Sequence, residues 1–240
     1  MQFYYIRHAQ SSNNALWAAT GASTGRSADP ELTELGYRQA SRLAGFLNAG
    51  NPAGGNSAGE PYRGGFEITH LYASLMLRAV QTGTVVAEEI GLPLIAWEDI
   101  HEQGGIYVDD PEQESKNGLA GCNRSYFQEH FPDFVLPSKL GEAGWWNFRP
   151  HETSEGCQAR ASRFLGELLE RHGDSQDRVA IISHGGFYND FLAALLNLPR
   201  TGGVWFRLNN AAITRIDFLG DRTGLVYMNR MDYLPTDFIT

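Results

Sequence analysis

The chain has 240 residues, 42% of them hydrophobic and 20% charged, which suits one large globular domain or one domain carrying a substantial insertion. Its formal charge of −9 argues against the basic face of a nucleic-acid binder, and makes any local cluster of arginines more telling, because the background field repels anions. Cys122 and Cys157 are too few for a disulfide framework and lack metal-ligand spacing, so buried free thiols are expected, although one mutual bridge fits the sequence as well. The chain opens with strand-like residues rather than a charged and then apolar leader, and no stretch is long and apolar enough to span a bilayer. A cytoplasmic location is the expectation.

Taken in order, Phe3-Tyr4-Tyr5-Ile6 reads as a buried strand that stops at Arg7, His8 and Ala9. In open α/β sheets ligands sit just beyond the carboxyl ends of strands, so Arg7 and His8 would project into such a crevice. Trp17 to Asp29, rich in Ala, Gly, Ser and Thr, reads as a loop beside it. Asp29-Pro30-Glu31-Leu32-Thr33 leads into a helix with Thr33 as N-cap, and Leu35, Leu43, Phe46 and Leu47 keep the spacing of a core-facing stripe. Asn48 to Gly65, glycine-rich with Pro52 and Pro61, is expected to be a mobile or surface connection.

Ile68 to Ala73 is the next strand, and a helix follows Ser74 and runs to about Ile90, where Gly91 and Pro93 stop it. Leu94 to Trp97 is a further short strand, followed by Glu98, His101, Glu102 and the Gly104-Gly105 pair. Gly105 to Thr153 breaks this rhythm with four prolines and the aromatics Tyr126, Phe127, Phe131, Phe134, Trp145, Trp146 and Phe148. It is too apolar for a disordered linker and reads as an insertion, with a helix near Arg124 to His130, folding back as a lid or cap. Gln158 to Arg171 is an amphipathic helix with Phe164, Leu165, Leu168 and Leu169 on one side. Val179 to Ser183 repeats the opening design, ending in His184-Gly185-Gly186 and a helix from Phe187 to Leu196. Trp205 to Leu208, Ala212 to Phe218 and Leu225 to Asn229 read as closing strands, with a turn at Gly220 to Gly224. Strands alternating with helices point to a three-layer α/β/α sandwich around a mostly parallel sheet, residues 1–240 forming one domain with 105–153 as its lid.

Two strands that each deliver a histidine at the carboxyl end are hard to explain as packing. Arg7-His8-Ala9 followed by Asn14, the segment Ser74-x-x-x-Arg78-Ala79-x-Gln81-Thr82, and Ser183-His184-Gly185-Gly186 together resemble the histidine phosphatase superfamily, which includes cofactor-dependent phosphoglycerate mutases and many phosphatases. Leu32-Thr33-Glu34-Leu35-Gly36 and Asn209 to Asp217 extend the resemblance along most of the chain.

The resemblance implies a role for each residue. His8 would be the nucleophile, a neutral imidazole that becomes a phosphohistidine. Arg7 and Arg78 would grip the phosphoryl oxygens with guanidinium forks. Arg78, at a helix start, opposes the helix dipole unless an anion sits there too. His184 would donate a hydrogen bond to the phosphoryl group, Gly185 and Gly186 would let backbone N–H groups approach an anion, and Asn14 would add another donor, although an Asn that only caps a turn fits its sequence position equally well. Glu102 would protonate the leaving oxygen, with Glu98 as competitor. His70, His101, His130, His151 and His172 show no paired metal spacing; His101 could line the site beside Glu102. No metal and no organic cofactor are expected.

Three departures matter. Ala9 stands where glycine is commonest in the family, Gln10 replaces the acidic residue typical of the mutases, and the insertion lacks their basic, proline-rich segment. Asp109, Asp110, Glu112 and Glu114 instead make it acidic ahead of Arg124. The expected activity is therefore metal-independent hydrolysis of a small-molecule phosphomonoester, with a mutase and a catalytically weak phospho-ligand-binding protein as alternatives. Neither nucleic acid nor membrane is an expected partner, and the oligomeric state is left open, a homodimer included.

Overall fold

The computed structural model describes residues 1–49, 66–110, 115–199 and 203–240. The expectation for the Asn48–Gly65 connection therefore lies outside the described residues beyond Ala49. The elements run β1 (Gln2–Arg7), α1 (Ser12–Thr20), α2 (Glu34–Ala49), β2 (His70–Ala73), α3 (Leu77–Ile90), β3 (Leu94–Ala96), β4 (Tyr107–Asp110), β5 (Ser115–Gly118), α4 (Arg124–His130), β6 (Phe134–Val135), α5 (Ser154–His172), β7 (Arg178–Ser183), α6 (Gly185–Leu196), β8 (Ile213–Leu219) and β9 (Arg222–Arg230).

The main sheet has the order β6-β3-β2-β7-β1-β8-β9. Its first five strands are parallel, and β8 and β9 add an antiparallel edge. The strict alternation of strand side chains makes two cores from one sheet. Tyr4, Ile6, Leu71, Ala73, Ala180 and Ile182 face α2 and α3, where Leu43, Leu47, Val80 and Val86 are buried. Phe3, Tyr5, Tyr72, Val179 and Ile181 face α5 and α6, where Phe164, Leu168, Phe187 and Phe191 close over them. Phe3 meets the rings of Tyr5, Phe164 and Phe191 at centroid distances of 6.5, 6.3 and 5.5 Å. Burial of each such side chain contributes about 1.5–3 kcal/mol. The result is the three-layer sandwich anticipated from the alternation of strands and helices.

Differences from the sequence reading have local causes. The stretch read as a loop from Trp17 begins inside α1, a helix set by the Ser11 N-cap and a capping box with Asn14. Leu169 is exposed, because one residue past buried Leu168 turns it away from the core. Residues 203–209 form no strand: the Asn189 side chain takes the place of a neighbouring strand, accepting from Phe206 N at 2.7 Å and donating to Phe206 O at 3.2 Å. The segment from Gly105 to Thr153 carries the α4 helix over the anticipated residues, together with a separate β4–β5 hairpin and the short β6. β6 pairs with β3, and Phe127, Phe134, Trp145 and Trp146 are buried in the α2–α3 core. Cys122 and Cys157 are free thiols. No helix among the described residues is long and apolar enough to cross a membrane.

Candidate active site

The pairing of β1 with β7 sets Arg7 opposite Ser183, so the next residue on each strand is a histidine. His8 N continues the ladder by donating to Ser183 O at 2.9 Å, and the His8 and His184 rings lie 5.1 Å apart at 55°. Both are essentially inaccessible to solvent. Beneath them, Tyr5 Oη bonds His184 O and Ser183 Oγ, each at 2.8 Å, and Ser183 Oγ donates to Ile100 O, a buried chain that fixes the strand ends.

His8 Nδ1 lies 2.7 Å from Ala9 O, which can only accept, so Nδ1 carries the proton and Nε2 keeps its lone pair. Arg78 Nε donates to that Nε2 at 3.1 Å. Burial, then the Arg78 and Arg7 charges, push the imidazole well below its ordinary range, so it stays neutral near pH 7. His184 is likewise held low by burial, with Arg78 and His8 adding to it. Ser74 Oγ accepts from Met76 N at 3.2 Å and lies 2.9 Å from His184 Nε2. Its hydroxyl hydrogen is free to be given to Nε2, and in that tautomer the neutral ring carries its own proton on Nδ1.

His184 Nδ1 and Arg7 Nε are both buried without a hydrogen-bond partner among the described residues. Buried donors rarely go unmatched, and one from a cation and one from a neutral imidazole, beside the Arg78 guanidinium, describe a place made for an oxyanion. Arg7 is otherwise tethered by Nη1 to Leu208 O at 2.6 Å; burial lowers it to about 10, which leaves it a cation at neutral pH. Arg78, in the first turn of α3, is held by Met76 Sδ at 3.2 Å and by Asp29 at 3.7 Å.

Arg7, His8, Asn14, Arg78 and Glu102 line one cavity, joined by Trp17 and Arg26 at its outer wall. Gly185 and Gly186 line an adjacent cavity that shares Arg7 and Glu102 and adds Trp205 and Arg207. Gly186 and Phe187 do bring backbone donors to an anion, but that anion is the chain's own Glu102. Its carboxylate accepts from Gly186 N at 3.0 Å, Phe187 N at 2.8 Å and Gln103 N at 2.9 Å, at the start of α6. A Cβ on Gly186 would lie 2.5 Å from Glu102 Oε1, so any larger residue here would displace that carboxylate. Glu98 is engaged elsewhere, paired with Lys139 at 2.9 Å and Arg149 at 3.0 Å on a different cavity.

Asn14 has both of the roles weighed for it within reach. Its Oδ1 closes the α1 cap, accepting from Ser11, and also accepts from Asn210 Nδ2 at 3.1 Å, while the residue still lines the cavity. His101 does not join the site: it packs against Trp145 and Trp146, with ring centroids at 5.6 and 5.0 Å. Ala9 is buried with an ordinary backbone φ and donates to Thr82 Oγ1 at 3.0 Å, so its Cβ imposes no strain. Sequence reasoning assigned no part to Ser74, Asp29 or Asn210. Asn210, whose Nδ2 also donates to His8 O at 3.0 Å, stands inside the Asn209 to Asp217 stretch of the resemblance, and Ser74 inside a quoted motif, but neither stretch marks out that residue.

With this geometry in place, the sequence relations are informative. The sequence model of the histidine phosphatase superfamily (branch 1) matches residues 3–231. The chain belongs to that superfamily. It is 24% identical over 237 residues, 96% of each chain, to the "Putative phosphoserine phosphatase 2" of Hydrogenobacter thermophilus. It is 25% identical over 228 residues to the "Probable phosphoglycerate mutase GpmB" of Yersinia pestis, covering 91% of this chain and 85% of that one. The same fold occurs in the phosphoserine phosphatase of Entamoeba histolytica, crystallised with 3-phosphoglyceric acid, at a TM-score of 0.60 and 18% identity over 98% and 99% of the two chains. It occurs also in a mycobacterial glucosyl-3-phosphoglycerate phosphatase, with a TM-score of 0.56 and 21% identity over 96% and 99%. The family thus spans phosphatases and mutases.

Proposed function

We propose that the protein is a metal-independent phosphomonoesterase that works through a phosphohistidine on His8. The observation that carries this reading is the neutral His8 ring with its Nε2 lone pair turned toward Arg78, beside the unmatched donors Arg7 Nε and His184 Nδ1. In the first step Nε2 attacks phosphorus, the ester P–O bond breaks, and Glu102 in its acid form gives its proton to the leaving oxygen. In the second step water attacks the phosphohistidine, Glu102 takes its proton back, and the P–N bond breaks to release phosphate. Arg7, Arg78, Asn14, Gly185 N–H and His184 would hold the equatorial oxygens throughout.

Hydrolysis is favoured over mutase chemistry by the disposition of the insertion's cations. A mutase must hold a doubly phosphorylated intermediate, which calls for spare positive charge near the site. Here Arg124 is spent on the carbonyls of Leu140, Pro137 and Ser138, Lys139 and Arg149 on Glu98, and Lys116 lies over the Tyr107 ring, so the charge added at the cavity beyond Arg7 and Arg78 is Arg26, from outside the insertion. The β4–β5 hairpin, whose Tyr107 ring holds Arg26 at 4.2 Å, is the part of segment 105–153 we assign as the lid of a single domain covering residues 1–240. Trp17 and Trp205, both mostly exposed at the two cavities, suit a small, moderately apolar phosphoester.

The test is phosphate release from p-nitrophenyl phosphate, phosphoserine and 3-phosphoglycerate in EDTA. Wild type should turn over at least one ester, and His8→Ala should lose on the order of 10³-fold or more in kcat, as expected for loss of a nucleophile. Strict metal dependence would overturn the mechanism. Isomer exchange of phosphoglycerate without phosphate release would establish the mutase instead.

A further inference from the structure

A second cluster of chemically capable side chains lies at the opposite end of the sheet. His70 opens β2, His172 closes α5, and Asp177 sits in the turn before β7. The register of β2 against β7 places His70 opposite Val179, at the amino ends of the strands. The candidate active site lies beyond the carboxyl end of β7, six residues away along the strand, or about 20 Å at the usual rise per residue. Whatever this cluster does, it does not touch the phosphoryl group.

His172 Nδ1 is 2.8 Å and His70 Nδ1 is 3.9 Å from the same oxygen, Asp177 Oδ2, and all three candidate ligand atoms fall within 4.8 Å of one another. A tetrahedral ion with bonds of about 2.0–2.1 Å separates its ligands by about 3.3 Å, so the two oxygen–nitrogen distances bracket what such an ion needs. The rings of His70 and His172 lie 4.7 Å apart, both beside the carboxylate.

The shell behind the cluster is also built. His172 is buried, and its far nitrogen, Nε2, lies 3.1 Å from Tyr72 Oη, which fixes the ring so that Nδ1 faces Asp177. Metal-bound histidines are usually oriented in this way through the nitrogen that does not bind. The turn that carries Asp177 is pinned by Asp177 N donating to Ser175 Oγ at 3.0 Å and by Gln2 N donating to Asp177 O at 2.8 Å. His70 and Asp177 remain partly exposed, with 36% and 28% of their side chains accessible, which gives an ion a way in and leaves room for a water ligand.

We propose that His70, His172 and Asp177 form a Zn²⁺ site, with solvent as fourth ligand, that staples β2 to the end of α5 and the turn before β7. Two imidazoles and a carboxylate are the donor set that borderline-soft divalent ions such as Zn²⁺ prefer over Mg²⁺ or Ca²⁺. On binding, the His172 proton moves from Nδ1 to Nε2 and donates to Tyr72 Oη, while Nδ1 gives its lone pair to the ion and His70 Nδ1 exchanges its 2.9 Å contact with Thr69 Oγ1 for the ion. The role is structural: binding to the folded state alone stabilises by mass action and leaves the proposed chemistry at His8 without a metal.

The test is calorimetric titration of the metal-free protein with Zn²⁺, together with thermal unfolding and the visible spectrum of the Co²⁺ form. One ion per chain is expected, with tetrahedral Co²⁺ bands and a raised Tm. His70→Ala and Asp177→Asn should each weaken binding by about 10–100-fold and remove the Tm gain, with the metal-free far-UV spectrum and phosphate release unchanged. If Asp177→Asn disturbs the metal-free fold, the more exposed His70→Ala reads the site separately. The proposal is overturned if no stoichiometric Zn²⁺ is taken up, or if uptake survives His70→Ala undiminished. Loss of uptake in His8→Ala alone would place the ion at the candidate active site and overturn it equally.

Discussion

Asp29 is the acidic residue whose charge bears most directly on Arg78. Its Oδ1 accepts from Leu77 N at 3.0 Å, so it also supplies the cap that Met76 cannot give to α3. Burial pushes its carboxyl up to about 7 while Arg78 pulls the other way. Above that pH an ionised Asp29 competes with a bound oxyanion for the guanidinium; below it the competition is relieved. Inhibition by sulfate, a dianion across the whole range, should therefore weaken several-fold as pH rises through about 7. Asp29→Asn should flatten that profile. A wild-type profile already flat would dismiss the coupling. His8 and His184, held neutral, and Arg7, held cationic, add no slope of their own there.

The two carboxylates weighed as proton donor separate at the same scale. Glu102→Gln should slow an alkyl phosphate by about 10²–10⁴-fold but p-nitrophenyl phosphate much less, because nitrophenolate leaves without a proton. Glu98→Gln should not change the ratio of the two rates. Equal loss on both esters in Glu102→Gln would remove Glu102 from the acid role.

Among elements, the junction of β7 with α6 concentrates the most function in the fewest residues. The strand delivers His184, and the first turn of the helix grips Glu102 through backbone donors. Gly186→Ala would force its Cβ against Glu102 Oε1 and push the carboxylate off those donors. We expect kcat to fall by about 10²-fold, the scale of a misplaced catalytic group, with the melting temperature little changed. Gly185→Ala, whose Cβ meets Arg7 Nε at an easier 3.4 Å, should be milder. An unimpaired Gly186→Ala enzyme would show that the grip on Glu102 is not needed.

Elements with a clear pattern were legible. The unbroken apolar runs of β1 and β7, buried on both faces, and the stripes of α2 and α5, buried on one, announced themselves. β4 and β5 were missed because Tyr107–Asp110 and Ser115–Gly118 form a mostly polar hairpin outside the main sheet, so no buried face imprints a pattern. Trp205 to Leu208 misled in the opposite sense: its composition suits a strand, but Asn189 supplies the hydrogen bonds a strand neighbour would have made.

For the whole molecule, three buried neutral histidines set the response to acid. His8, His101 and His184 all titrate well below the ordinary value of 6.5, chiefly because burial penalises the imidazolium. The unfolded chain would bind protons at these positions near pH 6.5 while the folded one does not, so the unfolded state holds more protons below that pH. Stability should be flat in these groups above about 6.5 and fall as pH drops below it, by up to about 1.4 kcal/mol per pH unit for each histidine, with Asp29, protonated below about 7 in the folded state alone, offsetting one of the three. Urea unfolding at pH 7.5, 6 and 5 checks the sign. A midpoint unchanged or rising toward pH 5 would contradict the burial of these rings.

The sequence alone determined the three-layer α/β plan and the family, because both rest on local regularities: periods of side-chain burial, and short motifs at strand ends. It named the residues that line the site without showing what each one faces. Only the tertiary structure decided that Gly186 serves Glu102, that Glu98 is tied to Lys139 and Arg149, and that Asn210 reaches the His8 carbonyl. It alone brought His70 within reach of His172 and Asp177. These pairings join residues far apart in the chain, and their geometry is set by strand register and helix docking, which leave no trace in the spacing of residues along the sequence.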